Sequence, residues 1–178
     1  MIYSGKFKVS SPFGTRTLNG EREFHSGIDV VGLGDKHVCA VAPGVVGAST
    51  IIFDRSNLTW EWGNYVRVDG TDGRRYYYCH LSQRLVRVGQ TVKVGDHLGV
   101  EGNTGKSFGS HCHFEVRTMG GESINPATFL GVKNEVGVFG RDYRAEAQKR
   151  FGWSEGSMRH FDSYKYAADV YRRMVEAE

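Results

Sequence analysis

Through residue 140 the apolar positions come in short alternating runs. Residues 38–41 precede Pro43-Gly44 and Val45-Val46, which predicts strand, turn, strand. Residues 65–68, the polar stretch 69–73 and the aromatic-rich 74–81 predict a hairpin with a glycine-containing loop. Residues 86–89, 91–95 and 97–100 read as further short strands or turns, and 111–118 alternate cleanly. Roughly seven short strands at this spacing predict a mostly antiparallel sheet, sandwich or barrel. Beyond residue 140 the period changes. Tyr164, Ala167, Ala168, Tyr171, Met174 and Val175 follow the spacing of a helix with one apolar face, with Asp162 or Ser163 to cap it. Residues 142–151 predict an earlier helix, and 154–157 a turn between the two.

Composition sharpens this division. A chain of 178 residues allows one ordinary domain, or a domain of about 130 residues with an appendage. Its 24 glycines are about twice the usual share of ~7%, while only three prolines occur, which fits many tight turns between strands. After residue 140 only Gly152 and Gly156 remain. The expectation is a mostly β, glycine-rich domain over 1–135 and a helical C-terminal appendage over 141–178. A net charge of +3, with 20 acidic residues interspersed, does not call for a nucleic-acid partner. No apolar run is long enough for a membrane span. The N-terminus has no apolar core of a signal peptide, which predicts synthesis in the cytoplasm without one. Three cysteines, an odd count, argue against a disulfide framework.

The candidate chemistry lies in the histidines. His25 and Asp29 are four apart, but Gly27 and Val30-Val31 argue against a helix and place them on a loop entering a strand. His111 and His113 are two apart, so on a strand both imidazoles face one way, together with Glu115 and Arg117. Cys112, Phe114 and Val116 then face the core. By the same alternation His80 shares a face with Tyr78. Two histidines and a carboxylate suit a catalytic zinc ion, which takes three protein ligands and keeps a fourth position open. Histidines that are not ligands can take a proton or bond a developing oxyanion. Spacing leaves open which of His111 and His113 would be the ligand. His37, His97 and His160 read as surface or core-edge residues.

Several motifs in order carry a resemblance. Ser11-Pro12-Phe13-Gly14-Thr15-Arg16 is followed by Phe24-His25-Ser26-Gly27-Ile28-Asp29-Val30. Then come Ala42-Pro43-Gly44-Val45-Val46, Gly63-Asn64-Tyr65-Val66, Tyr78-Cys79-His80-Leu81-Ser82, the stretch 92–99, the stretch 102–116 with His111-Cys112-His113-Phe114-Glu115, and Asn125-Pro126-Ala127-Thr128-Phe129-Leu130. Together, over about residues 8–131, they resemble the M23 (lysostaphin/LytM-type) zinc metallopeptidases. The resemblance implies a glycine-rich antiparallel two-sheet fold with an open groove. It implies one zinc ion held by His25, Asp29 and His113, with His80 and His111 as non-ligand catalytic histidines. The implied substrate is the peptide crosslinks or stems of bacterial peptidoglycan. Asn64 is a lesser candidate for orienting substrate, against its reading as a turn residue before a strand, and Arg16 reads as a local salt-bridge partner.

The chain departs from the pattern at Cys79 and Cys112, where the family commonly has aliphatic residues or alanine. Strand alternation turns each away from its neighbouring histidine, so both read as buried, reduced core residues. The stretch 49–62, with Trp60 and Trp62, fits no motif of the family and reads as a loop walling the groove. All three ligand positions and both partner histidines are present. That favours an enzyme over a catalytically weak wall-binding or virion structural component on the same fold. The missing signal sequence favours a phage or mobile-element product, acting in lysis or on a virion. For the C-terminal helices, packing on the β domain or on a second copy is the expectation, ahead of a wall-binding or assembly-docking module.

Overall fold

A computed structural model describes residues 1–178 except 19, 164–166 and 178. The strands are β1 (Phe7–Ser11), β2 (Gly14–Leu18), β3 (Glu21–His25), β4 (Ile28–Gly32), β5 (His37–Cys39), β6 (Gly44–Ile51), β7 (Asn64–Gly70), β8 (Arg74–Leu81), β9 (Gln83–Arg84), β10 (Thr91–Val92), β11 (His97–Val100), β12 (Cys112–Thr118), β13 (Ser123–Ile124) and β14 (Gly137–Phe139). A 3-10 turn spans Leu58–Trp62, and the α-helices are α1 (Ala127–Leu130), α2 (Tyr143–Phe151), α3 (Glu155–Asp162) and α4 (Ala167–Glu176). The fold is mostly β, and the pairings among the described strands are antiparallel.

The large sheet runs β10-β6-β7-β8-β12-β4-β1-β14, with β13 paired to β12. A second sheet, β5-β11-β9, shares its core, and β2 and β3 form a separate ribbon. Alternation explains the layering. Phe7 and Val9 of β1, Ile28 and Val30 of β4, Val66 and Val68 of β7, and Cys112, Phe114 and Val116 of β12 all point into one buried cluster. Val38 of β5 and Leu98 of β11 close it from the second sheet. Each fully buried side chain of this kind contributes about 1.5–3 kcal/mol. The opposite face of β12 is buried as well, at His113 and Glu115. A strand that is covered on its polar face marks where the chemistry sits.

The stretch 49–62 is not a single loop. β6 continues to Ile51, and Leu58–Trp62 is helical, capped by Asn57, whose Oδ1 accepts from Thr59 N at 3.0 Å. This turn docks on the 104–106 segment: Lys106 N–H donates to Glu61 O at 2.9 Å, and Lys106 Nζ pairs with Glu61 at 2.8 Å.

The helices pack on one another around Tyr143, Ala147, Met158 and Tyr171, with Trp153, Ala167 and Val175 against them. The apolar stripe of the last helix is therefore covered within the chain at Ala167, Tyr171 and Val175. Tyr164, its expected first member, lies outside the described residues. One expectation is corrected. The 154–157 turn is the start of α3: Ser154 Oγ accepts from Ser157 N at 3.2 Å, so Ser154 acts as a helix cap. Gly156 had suggested a turn. Asp162 ends α3, and its carboxylate accepts from Arg144 Nε at 3.0 Å and from Tyr171 Oη at 3.0 Å; the residues where it or Ser163 would cap α4, 164–166, lie outside the described residues.

Gly63 closes the 3-10 turn at φ +62° and ψ −136°, a region that only glycine adopts readily, and a Cβ there would lie 2.4 Å from Thr104. Gly63→Ala is expected to cost about 2–5 kcal/mol from backbone strain and overpacking together. Urea unfolding of the two chains measures it.

Candidate functional site

Register brings the polar residues together. On β12, His113 lies opposite Asp29 of β4 on one side and Cys79 of β8 on the other. His25 ends β3 and folds back over β12 through Ser26 and Gly27. A Cβ at Gly27 would meet Phe114 O at 2.6 Å and the His113 ring at 2.7 Å, so the turn needs glycine to lie this close. His111 stands just before β12, held by a single bridge to Gly102.

His80 arrives by an irregularity. Asn64 of β7 pairs with Leu81 and Val66 pairs with Tyr78, so Cys79 and His80 together oppose one residue of β7. This is a β-bulge, and His80 takes φ +62°, the one positive φ among the described non-glycine residues. The expectation that His80 shares a face with Tyr78 is thereby overturned. Tyr78 is fully buried in the core, while the bulge re-aims His80 so that its ring centroid is 4.7 Å from His111 and 5.9 Å from His113. Cys79 is corrected by the same register: it lies on the His113 side of the sheet, beneath the site. It is buried and reduced, and burial pushes its thiol pKa well up, so it stays protonated. Cys112 faces the core as expected.

Each imidazole has one nitrogen on a fixed oxygen. His25 Nδ1 lies 2.8 Å from Pro12 O, His80 Nδ1 2.8 Å from Thr104 O, His111 Nδ1 2.8 Å from Gly109 O, and His113 Nε2 3.0 Å from Glu115 Oε1. These oxygens accept, so the bonded nitrogens carry protons and the second nitrogen of each ring is left for another partner. Three of these second nitrogens converge on Asp29 Oδ1: His113 Nδ1 at 2.8 Å, His25 Nε2 at 3.2 Å and His111 Nε2 at 3.6 Å. His25 Nε2 and His113 Nδ1 are 3.1 Å apart. Burial works against a charged His113, but hydrogen bonds to Asp29 and Glu115 raise its pKa to about 9, so a cation seated between these nitrogens would take the place of a proton.

The surroundings are charged to match. Burial works against ionisation of Asp29, but hydrogen bonds from His113 and His25 hold its carboxyl well below the usual range. Arg16 adds a contact to Asp29 Oδ2 at 3.3 Å while pairing with Glu23 at 2.6 Å. Burial would raise the pKa of Glu115, but His113, Arg117 and Ser26 lower it to about 2. Arg117 in turn lies 5.3 Å from the rings of both Trp62 and Tyr77. His80 is lowered to about 4, first by burial and then by His111 and His113, so it is neutral at pH 7.

His25, Asp29 and His113 offer donor atoms within 4.8 Å of one another. Two imidazole nitrogens and one carboxylate form the donor set of a catalytic zinc ion. Asn64 is placed at the start of β7, where its backbone N–H donates to Thr104 Oγ1 at 3.0 Å. Glu115, Ser26 and Thr104 were not picked out as site residues from sequence, although the 111–117 alternation already put Glu115 on the histidine face. A cavity of about 460 Å³ lies elsewhere, between the β body and the helices. Its charged lining is internally paired, as in Lys6–Asp142 at 3.0 Å and Arg144–Asp162 at 3.0 Å.

The profile described as Peptidase family M23 matches residues 23–126. The peptidoglycan DD-endopeptidase ShyC of Vibrio cholerae is 35% identical over 124 residues, covering 68% of this chain and 27% of that protein. The chain spans about a quarter of the length of the curated relatives it matches first. Among solved structures, the catalytic domain of the antimicrobial peptidase lysostaphin from Staphylococcus simulans matches with a TM-score of 0.61 at 28% identity, over 70% of this chain and 92% of that one. The catalytic domain of the prophage-encoded M23 protein EnpA from Enterococcus faecalis, in a mutant form, matches with a TM-score of 0.57 at 30% identity, over 67% of this chain and 88% of that one.

The left-handed backbone at His80 has a direct test. His80→Gly should be more stable than His80→Ala by about 1 kcal/mol, the reverse of the usual order within a strand. Thermal or urea unfolding of the two variants decides it.

Proposed function

The chain belongs to peptidase family M23, whose members are zinc metallopeptidases, and from that premise we propose that it is a zinc-dependent endopeptidase cutting peptide crosslinks or stems of bacterial peptidoglycan. The convergence of three imidazole nitrogens on Asp29 Oδ1 within 3.6 Å carries the proposal. His25, Asp29 and His113 would hold one zinc ion. His111, at 3.6 Å the most distant of the three from Asp29, is left as a partner histidine. When bound, zinc supplies a Lewis acid for the scissile carbonyl and for a water molecule.

The chain's own groups do the rest. His113 is oriented from behind by Glu115, which is fixed by Ser26 and Arg117. His80 and His111 donate through Nδ1 to backbone carbonyls, so each presents a free Nε2. One of these nitrogens takes a proton from the attacking water; that ring is then the donor to the tetrahedral intermediate and gives the proton to the leaving amine. Asn64 remains a lesser candidate for orienting the substrate.

The substrate class is supported by the relative named a peptidoglycan DD-endopeptidase. Delivery as a phage lysis enzyme or virion component is supported by the likeness to the prophage-encoded EnpA. No helix among the described residues is long and apolar enough to cross a membrane. We place the catalytic domain at 1–135 and the appendage at 141–178, with β14 between them on the edge of the large sheet. The cluster within the appendage supports packing inside the chain and gives no support to oligomerisation.

Replacing His25, Asp29 or His113 with Ala should remove both zinc and peptide release from purified walls. His80→Ala and His111→Ala should keep zinc and lose about 10²–10⁴-fold in turnover. Chelation should abolish turnover and added zinc restore it. Metal analysis beside chromatography of released peptides checks all three statements. Binding to walls without peptide release by the zinc-loaded protein would instead support the catalytically weak wall-binding component. A chain ending at residue 140 should retain zinc and cooperative unfolding, measured in the same assays.

A further inference from the structure

Glu101 is a buried carboxylate outside the donor set. Its side chain is fully covered, and both oxygens are doubly engaged. Oε1 accepts from Ser110 Oγ at 2.7 Å and from Lys36 Nζ at 2.8 Å. Oε2 accepts from Tyr3 Oη at 2.7 Å and from the Gly32 backbone N–H at 2.8 Å. Burying a carboxylate this completely is costly unless each lone pair is met, and here each is.

Its partners place it between two parts of the site. Gly32 ends β4, the strand that carries Asp29. Ser110 ends the 102–110 segment and directly precedes His111. That segment has glycines at 102, 105 and 109 and no strand pairing beyond the single bridge between Gly102 and His111. The two side-chain contacts of His111 to its own segment, Gly109 O at 2.8 Å and Ser107 Oγ at 3.3 Å, move with it. The ring's distance to Asp29 therefore depends on what anchors the end of the segment. Cys112, the next residue, is fixed by its pairing with Val30; on the segment's side the anchor is the Glu101–Ser110 hydrogen bond beside the backbone bond from His111 N to Gly102 O at 3.0 Å.

We propose that Glu101 is a positioning residue for His111: through Ser110 it ties the end of the 102–110 segment to the strand that bears Asp29. The inference rests on the partner-histidine role assigned to His111 above. Side-chain freedom at such a tether costs rate because reacting groups displaced by an ångström lose most of their alignment.

The test uses the full zinc-loaded chain on purified peptidoglycan, with kcat and KM separated. Ser110→Ala and Glu101→Gln should each lower kcat by about 5–50-fold with KM within about twofold and zinc content unchanged. Ser110→Thr, which keeps the hydroxyl, should restore kcat. The double variant should lose no more than Glu101→Gln alone, because both changes cut one tether. By NMR, the His111 ring signals should shift or broaden in Ser110→Ala while those of His25 stay in place. Ser110→Ala removes one hydroxyl from a solvent-exposed residue, so it leaves the core intact. If Ser110→Ala keeps kcat within about twofold while His111→Ala is inactive, the tether is overturned and the role of His111 stands. If His111→Ala itself turns over normally, the role of His111 fails, and the tether fails with it.

Discussion

The site is referenced to one carboxylate. Asp29 is held on β4 by pairing with β12 on one side and β1 on the other, and its Oδ1 is the point on which three imidazole nitrogens converge. An ionised carboxylate at partial burial is tolerable only where donors surround it, and the sheet supplies them in register. A one-residue slip between β4 and β12 would turn His113 into the core and bring Cys112 out. The large apolar cluster on the opposite face, with Cys112, Phe114 and Val116 fully buried, is what forbids that slip. Core packing and the geometry of the histidine–aspartate site are thus two faces of the same strand.

Around Asp29 the support comes in layers. Glu115, Ser26 and Arg117 brace His113, and Arg117 lies against Trp62 at the end of the 3-10 turn. The same turn docks on the segment containing Thr104, whose carbonyl holds His80. The 49–62 stretch, which matches no motif of the family, is in this way connected to both His113 and His80. Its tryptophan serves as packing behind the site.

Much of this was legible in the sequence. The strand alternation at 111–117 placed two histidines and Glu115 together and sent Cys112, Phe114 and Val116 inward, because a period of two is a property of the backbone alone. The division near residue 140 followed from the change of period and the loss of glycine. What the sequence could not show was the bulge at Cys79-His80. A bulge depends on how many residues the neighbouring strand offers, and that is a matter of pairing between distant segments. Without it, alternation assigned His80 to the wrong face and Cys79 to the wrong side. Glu101 was invisible for a related reason: four donors from four separate segments meet it only after folding. At 154–157 local chemistry misled, since Gly156 suggests a turn while Ser154 caps a helix.

The backbone at His80 has a consequence for how this sequence can drift. A left-handed residue in a strand is cheapest as glycine or asparagine, so folding stability by itself favours losing the imidazole. Where the proposed turnover is useful, selection must oppose that drift. In a lineage without such a duty, position 80 should therefore be among the first of the five site residues to change, well before the buried Asp29–His113 pair, whose removal would take a partner from Glu115. The order in which such residues decay would record whether a descendant chain had ceased to be an enzyme while still holding its fold.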